Sequence, residues 1–195
     1  MKKVMLMVAF MVAAVAASAQ VYVGGGIGFS SEKKAYLDGT PEPDAITKFH
    51  LTPEVGYNLS DNLAVGIGLG INYGKQGDTK NTGFEIAPYA RWTFVKWNKV
   101  SLFLEGGLAY GFDKTKSEYE SGNQTISTET KNAYFKIGVK PGLRVDLTDH
   151  VALMTRVGWF GYECTMPDGD DMNNGSRFGL DVDGENLTFG LLYSF

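Results

Sequence analysis

Apolar residues alternate with small or polar ones along much of this chain, and the pattern is clearest over the last ten positions. There Leu187, Phe189, Leu191, Tyr193 and Phe195 occupy every second position. Because the side chains of a β-strand point alternately to opposite faces, these five residues share one face of an extended strand. The segment therefore predicts a strand whose large apolar face is turned either to lipid or to a packed core.

The same two-residue period recurs in eight segments, each bounded by turn-type residues. The segments cover residues 20–30, 48–59, 63–73, 83–96, 99–112, 132–147, 150–163 and 186–195. The connectors alternate between long polar loops and tight turns: 31–47, 60–62, 74–82, 97–98, 113–131, 148–149 and 164–185. An even strand number with short turns at one end and long loops at the other is typical of bacterial outer-membrane barrels. We therefore predict an all-β fold, an eight-stranded antiparallel transmembrane β-barrel.

The placement of aromatic residues favours an outward apolar face. Alternation alone fits a soluble barrel or sandwich equally well, with the aliphatic face inside. The aromatic residues of the apolar faces, however, collect at both strand ends: Phe29, Phe49, Tyr73, Phe84, Phe112 and Trp159 at the loop side, and Tyr57, Trp92, Phe94, Tyr193 and Phe195 at the turn side. Two aromatic belts around an aliphatic middle are expected at the two membrane interfaces.

The N-terminus has the three parts of a secretory signal. Lys2 and Lys3 form a basic start, an apolar stretch follows, and Ala17-Ser18-Ala19 supplies small residues for cleavage. A retained membrane helix is disfavoured because the apolar stretch is shorter than the roughly 20 residues that span a bilayer. We expect residues 1–19 to be a signal peptide and residues 20–195 to be the barrel domain.

Charge and rare residues exclude several classes of protein. With 18 basic against 22 acidic residues, the chain lacks the positive charge that a nucleic-acid partner requires. Its one cysteine, Cys164, cannot form an internal disulfide.

Pro53, Pro88 and Pro141 fall inside predicted strands. Because a closed barrel has no edge strand on which to place a proline, each should lie at a bulge or an unpaired position.

Two of these prolines open a repeated motif that identifies a family. Pro53-Glu-Val-Gly-Tyr-Asn-Leu-Ser-Asp-Asn-Leu-Ala-Val is echoed by Pro141-Gly-Leu-Arg-Val-Asp-Leu-Thr-Asp-His-Val-Ala-Leu, and Pro88-Tyr-Ala-Arg-Trp repeats its first part. With the closing aromatic residue, these segments resemble small outer-membrane barrels of the OmpA/OmpX type, and more closely the outer membrane protein beta-barrel domain family common in Bacteroidetes.

The resemblance implies a location and a route of assembly. It implies a monomer in the outer membrane of a Gram-negative bacterium, in contact with outer-membrane lipids. In such families the barrel-assembly machinery reads the last strand as an assembly signal. Here that signal maps to Leu187, Phe189, Leu191, Tyr193 and Phe195.

The inward face of the predicted barrel carries both signs of charge. By parity it includes Glu54, Glu85, Arg91, Glu105, Lys136, Lys140, Arg144 and Arg156. Because eight strands enclose a lumen only wide enough for side chains, and because buried charges must be paired, we predict an ion network that plugs the lumen. The alternative is a gate, in which Glu54 pairs with Arg91 or Arg156 near mid-height and exchange of partners opens a narrow path.

Candidate chemistry elsewhere is sparse. His50 could share an inward face with Thr52 and Glu54, but no nucleophile motif accompanies it, so we expect no catalytic residues and no cofactor. The acidic stretch at 168–175 misses the spacing of an EF-hand calcium loop, and a solvated loop is favoured over a metal site.

These features predict a structural or surface-interaction protein. Four long extracellular loops would contact an unknown extracellular ligand, while the lumen stays filled with side chains. The alternatives are a narrow gated pore, a lipid-modifying barrel enzyme and a soluble periplasmic binding barrel.

Overall fold

The structure is a computed structural model, and it describes residues 20–32, 44–121, 124–168, 174–181 and 187–195. Within these ranges the chain forms ten strands, all paired antiparallel. They are β1 (Val21–Glu32), β2 (Ile46–Asn58), β3 (Leu63–Gln76), β4 (Thr79–Trp97), β5 (Val100–Ser121), β6 (Gln124–Asp146), β7 (Val151–Val157), β8 (Trp159–Pro167), β9 (Gly175–Asp181) and β10 (Leu187–Ser194). The predicted signal peptide at 1–19 lies outside the described residues. In the described part of the chain, no helix is long and apolar enough to cross a membrane.

Eight of the ten strands close a ring. Strands β1 to β7 pair in chain order, and β10 pairs with both β7 and β1. Strands β8 and β9 extend the wall towards the loop side, where β6 pairs with β8 and β8 with β9. The predicted all-β antiparallel class is confirmed. The strand list differs from the predicted eight because the seventh segment is divided and because β9 lies in the predicted long connector 164–185.

The division of the seventh segment occurs at Gly158. This residue has a left-handed φ of 68°, a conformation that glycine adopts at little cost. The register of β6 changes by one residue there, from Gly142 opposite Arg156 to Val139 opposite Phe160. A one-residue slip exchanges the two faces of a strand. Trp159 therefore lines the lumen, and its predicted place in the outward aromatic belt was wrong.

Two of the predicted long loops are mostly strand. Strands β3 and β4 are joined by Gly77 and Asp78 alone, and β5 extends to Ser121 while β6 begins at Gln124. Beyond the apolar band both faces of a strand meet water, so the hydrophobic period disappears while the backbone ladder continues. The alternation of residue types therefore underestimates the length of these strands.

The outward side chains form an apolar band between aromatic residues. Its aliphatic middle includes Ile67 and Leu69, and the turn-side aromatic residues Trp92, Phe94 and Tyr193 also point outward. Side chains of this size on the outside of a ring of strands are suited to lipid rather than to water.

The three prolines lie within strands at unpaired positions, which confirms the expectation from the sequence. Pro53 pairs with β1, but the ladder from β2 to β3 lacks its position. Pro88 pairs with β3, and the ladder from β4 to β5 is interrupted there. Pro141 pairs with β5 and lies between the β7 and β8 parts of the next ladder. Each proline thus occupies a position where no backbone donor is required.

A charge on the outward face of the last strand should impair the barrel. Leu191 points outward with 54% of its surface exposed. We expect Leu191→Arg to make folding into bilayers less favourable by about 2 to 4 kcal/mol, the cost of arginine near the bilayer midplane. The measurement is urea-dependent folding into lipid vesicles. Ile126→Arg, an exposed position on the β6 extension, is the matched control and should fold normally. Equal stability of the two variants would contradict a lipid-facing last strand.

Candidate functional site

Four charged side chains from four strands meet in the lumen at about mid-height. Glu54 comes from β2, Arg91 from β4, Glu105 from β5 and Arg156 from β7. Each residue is inward by the two-residue period of its strand, and ring closure brings the four strands around one axis. With two carboxylates and two guanidiniums, the group carries no net charge. We refer to these four residues as the lumen cluster.

Glu105 is the most heavily bonded member of the lumen cluster. Arg91 donates to its Oε2 from Nε at 3.1 Å and from a terminal nitrogen at 2.8 Å. Arg156 donates from Nε to Oε1 at 2.9 Å and from a terminal nitrogen to Oε2 at 3.0 Å. Hydrogen bonds between charged partners are stronger than neutral ones, and two-point contacts also set the orientation of the guanidinium plane.

Glu54 accepts through a single oxygen from three donors. Its Oε2 lies 2.7 Å from a terminal nitrogen of Arg156 and 3.3 Å from one of Arg91. The Tyr89 hydroxyl donates to the same oxygen at 2.9 Å, and the hydroxyls of Tyr89 and Tyr22 lie 2.9 Å apart. Glu54 therefore contacts both arginines, whereas the prediction from the sequence paired it with either Arg91 or Arg156.

Aromatic rings surround the Arg91 guanidinium. Its central carbon lies 4.9 Å from the ring centre of Tyr89, 5.2 Å from that of Phe103 and 5.4 Å from that of Tyr22. The negative face of an aromatic ring attracts a cation at such distances. Arg91 is thus held by carboxylates on one side and by rings on the other, and only 4% of its surface is exposed.

Inward glycines make room for these rings. A Cβ added at Gly66 would collide with the Tyr89 ring, and one added at Gly142 would collide with Phe103. The aromatic members of the site were not among the residues predicted from the sequence. Tyr89 has the same parity as Arg91 in the Pro-Tyr-Ala-Arg-Trp motif, and this parity was the sequence feature that could have identified it as an inward residue.

An apolar core packs inside the ring on the turn side of the cluster. Its buried members are Tyr22, Ala64, Phe103, Ala152, Met154 and Leu192. A second cavity, of about 400 Å³, lies at the turn-side mouth and reaches Arg91 and Phe103. The cluster and the apolar core therefore lie between the two cavities and narrow the lumen there.

The loop side of the cluster opens instead into a cavity of about 490 Å³. Its walls carry charges of both signs, including Glu85, Asp113, Lys136 and Glu163. The interactions here are looser than in the cluster, since the Lys136 ammonium lies 3.6 Å from Glu163 and both side chains are partly exposed. The Tyr134 hydroxyl donates to Glu85 at 3.0 Å, and Lys136 lies 4.3 Å from the Tyr134 ring centre.

The other predicted lumen residues do not join the cluster. Glu85 and Lys136 lie in the cavity above it, and Arg144 pairs with Asp146 at 2.7 Å near the turn-side mouth. Lys140 also lines the cavity, and within the described residues it has no ion-pair partner. The structure thus groups four of the eight predicted residues and distributes the other four over both ends of the lumen.

Thr52 and Glu54, which were predicted to share an inward face with His50, are hydrogen-bonded to other groups. The Thr52 hydroxyl is hydrogen-bonded to the backbone of Gly26, and Glu54 is bonded to the arginines, so neither orients His50. Most of the acidic stretch at 168–175 lies outside the described residues, and its character stays a prediction. The described residues contain no group of three or more metal-ligand side chains that could hold a metal ion.

Comparisons with known proteins agree with this architecture. The model of a family described as "Outer membrane protein beta-barrel domain" matches residues 4–195. No curated protein sequence matches the chain.

Solved structures with a similar chain path include Neisserial surface protein A. That protein is 15% identical over 91% of this chain and 98% of its own, with a TM-score of 0.51. The outer membrane protein OprG from Pseudomonas aeruginosa is 15% identical, over 90% of this chain and 96% of its own, with a TM-score of 0.49. At this identity the likeness to Neisserial surface protein A indicates the fold alone.

Removing one carboxylate should leave buried charge without a partner. We expect Glu105→Gln to lower the free energy of unfolding by about 3 to 5 kcal/mol, because breaking one side of a buried ion pair leaves the other uncompensated. Urea-dependent unfolding in detergent or vesicles measures it. Glu129→Gln, which breaks an exposed ion pair on β6, should leave stability unchanged. A Glu105→Gln protein as stable as the control would show that the cluster contributes little.

Proposed function

The chain belongs to the outer membrane protein beta-barrel domain family and lies in the bacterial outer membrane, and from this premise we propose that it is a closed barrel that presents extended strands to an extracellular partner. The proposal rests on one observation: charged and apolar side chains pack inside the ring, beneath strands that continue past the apolar band. A soluble periplasmic barrel is excluded by the family. The proposal includes two further expectations. The barrel-assembly machinery reads the last strand as an assembly signal, and the protein is a monomer.

The packing of side chains inside the ring supports a function other than conduction. The lumen cluster is internally neutralised and its members are hydrogen-bonded from several directions, while the apolar core packs inside the ring on its turn side. Opening a path would separate buried charges and unpack aromatic side chains at once. Both costs favour a barrel that acts as a scaffold.

The β5–β6 hairpin is the longest extension of the wall. Its pairing continues beyond the last pair of β4 with β5, which joins Thr79 to Ser117. Lys114 and Lys131 both bind Glu129, at 2.7 and 3.3 Å, and the hydrogen bond from Lys114 holds the pKa of the Glu129 carboxyl below its usual range. Such a hairpin offers hydroxyl and charged groups, which suits a polar partner surface.

A narrow gated pore is the second candidate. It is favoured by the shared oxygen of Glu54, which Arg91 and Arg156 contact at unequal distances, and by the cavity that reaches the cluster from the loop side. In that case exchange of arginine partners would begin the opening.

Shortening the hairpin should remove the interaction while the barrel remains. Replacing residues 115–130 by Asn-Gly joins Lys114 to Lys131, which face each other across the ladder. We expect cells that display the unaltered protein to adhere to mucin-coated plates, which present a polar surface, and cells that display this variant to lose that adherence. Asp61→Asn, a change at an exposed turn-side position, is the control and should keep adherence. Adherence that persists in the shortened variant would contradict the display role.

Conductance separates the closed barrel from the gated pore. We expect the unaltered protein and Glu54→Ala to show no steady conductance in planar bilayers, because the core around Tyr22 and Met154 still packs inside the ring. A stable open level in Glu54→Ala that the unaltered protein lacks would instead support the gate.

A further inference from the structure

The ring of strands is closed by a short contact between its first and last members. Strand β1 pairs with β10 between residues 22–25 and 191–194. The described residues form no β1–β10 pair beyond Gly25 and Leu191, although Gly26 still lies beside the backbone of Phe189 and Gly190. Further towards the loop side the described part of β1 pairs with β2 alone and β9 with β8 alone. Within the described residues, the outer half of the wall therefore has a seam between β1 on one side and β9 and β10 on the other.

Side-chain exposure reveals the same seam independently. Ile27 and Phe29 on β1 are 70% and 72% exposed, and Phe178 and Leu180 on β9 are both 70% exposed. Ile67, outward on β3 between two paired neighbours, is 40% exposed. An outward side chain in a closed sheet is covered from both sides, whereas one on an open edge loses half of that cover. The rims of the seam are thus apolar and accessible from the bilayer.

The seam adjoins the lumen cavity. Thr188 on β10, Arg177 on β9 and Trp159 on β8 all line the cavity from the seam side. Unpaired backbone groups are costly in hydrocarbon and are tolerated where they line a water-filled space. An open edge beside a polar cavity meets that condition, and it joins an apolar rim to a polar interior.

Lys140 provides a cation inside the cavity for an anionic group. It faces Glu105 across the β5–β6 ladder, but both oxygens of Glu105 accept from Arg91 and Arg156. The cavity volume of about 490 Å³ falls within the range of small-molecule sites. Since β6 is separated from β10 by β7 alone, Lys140 lies two strands from the seam.

We propose that the seam is a lateral binding slot for an anionic amphiphile of the outer leaflet, whose phosphate-bearing head group contacts Lys140 while its acyl chain lies between the rims of β1 and β9. Neither part of the slot suffices alone. The apolar side chains of the rims cannot bind an anion, and the charged cavity does not suit a hydrocarbon chain. A molecule with both parts matches both surfaces.

Tryptophan quenching by brominated lipid tests the slot. Trp92→Phe with Trp97→Phe leaves Trp159, at the inner side of the seam, as the one tryptophan. The protein is placed in phosphatidylcholine nanodiscs with a small fraction of phosphatidic acid brominated on its acyl chains, or with an equal fraction of brominated phosphatidylcholine. We expect the brominated phosphatidic acid to quench Trp159 several-fold more strongly. Lys140→Met should weaken its apparent affinity about tenfold, as for loss of a hydrogen bond between charged groups, and Lys140→Arg should preserve it.

A reversible lock tests the lateral route. Extending the β1–β10 register places residue 27 opposite residue 189, so Ile27→Cys with Phe189→Cys, in a Cys164→Ser background, can bridge the seam when oxidised. Oxidation should abolish the preferential quenching and reduction should restore it. Trp159→Phe with Phe160→Trp places the tryptophan on the outward face and should be quenched by both lipids in both redox states. Equal quenching of Trp159 by the two lipids, or quenching that persists in the oxidised barrel, would overturn the proposal.

Discussion

Pairing of charge inside the lumen is the constraint on which this structure depends. Two glutamates and two arginines are removed from water by the surrounding wall, and a buried charge without a partner would cost several kcal/mol. The hydrogen bonds among Glu54, Arg91, Glu105 and Arg156 satisfy that requirement. Because the four residues belong to four different strands, the cluster also ties opposite sides of the ring together.

The inward glycines and aromatic rings follow from the same constraint. A guanidinium at the centre of an eight-stranded ring needs contacts that the carboxylates alone leave incomplete, and Tyr22, Tyr89 and Phe103 supply them. Those rings require space, which inward glycines on neighbouring strands provide. On the loop side no comparable packing exists among the described residues, so the lumen widens into the cavity beside the seam. One end of the barrel is therefore more closely packed than the other, which offers space for an interaction.

Much of the fold followed from periodicity, and its departures have local causes. The class, the antiparallel order and the unpaired prolines were predictable because a ring of strands in lipid must turn apolar side chains outward and leave no backbone donor unsatisfied. The lengths of β5 and β6 were not, since alternation ends where both faces meet water. Gly158 was missed because a single left-handed residue reverses parity without changing composition.

The sequence by itself determined which side chains face inward and outward in the strands before Gly158, because strand geometry assigns the face from position as long as the register is unbroken. It could not determine which inward charges meet, since Glu54 and Arg156 lie on strands far apart in the chain and their distance depends on closure and stagger of the ring. The same holds for Lys140, which has the same parity as the clustered residues but faces a carboxylate already bonded to two arginines. Only the tertiary structure decides the pairing, because it depends on how the strands are arranged around the axis.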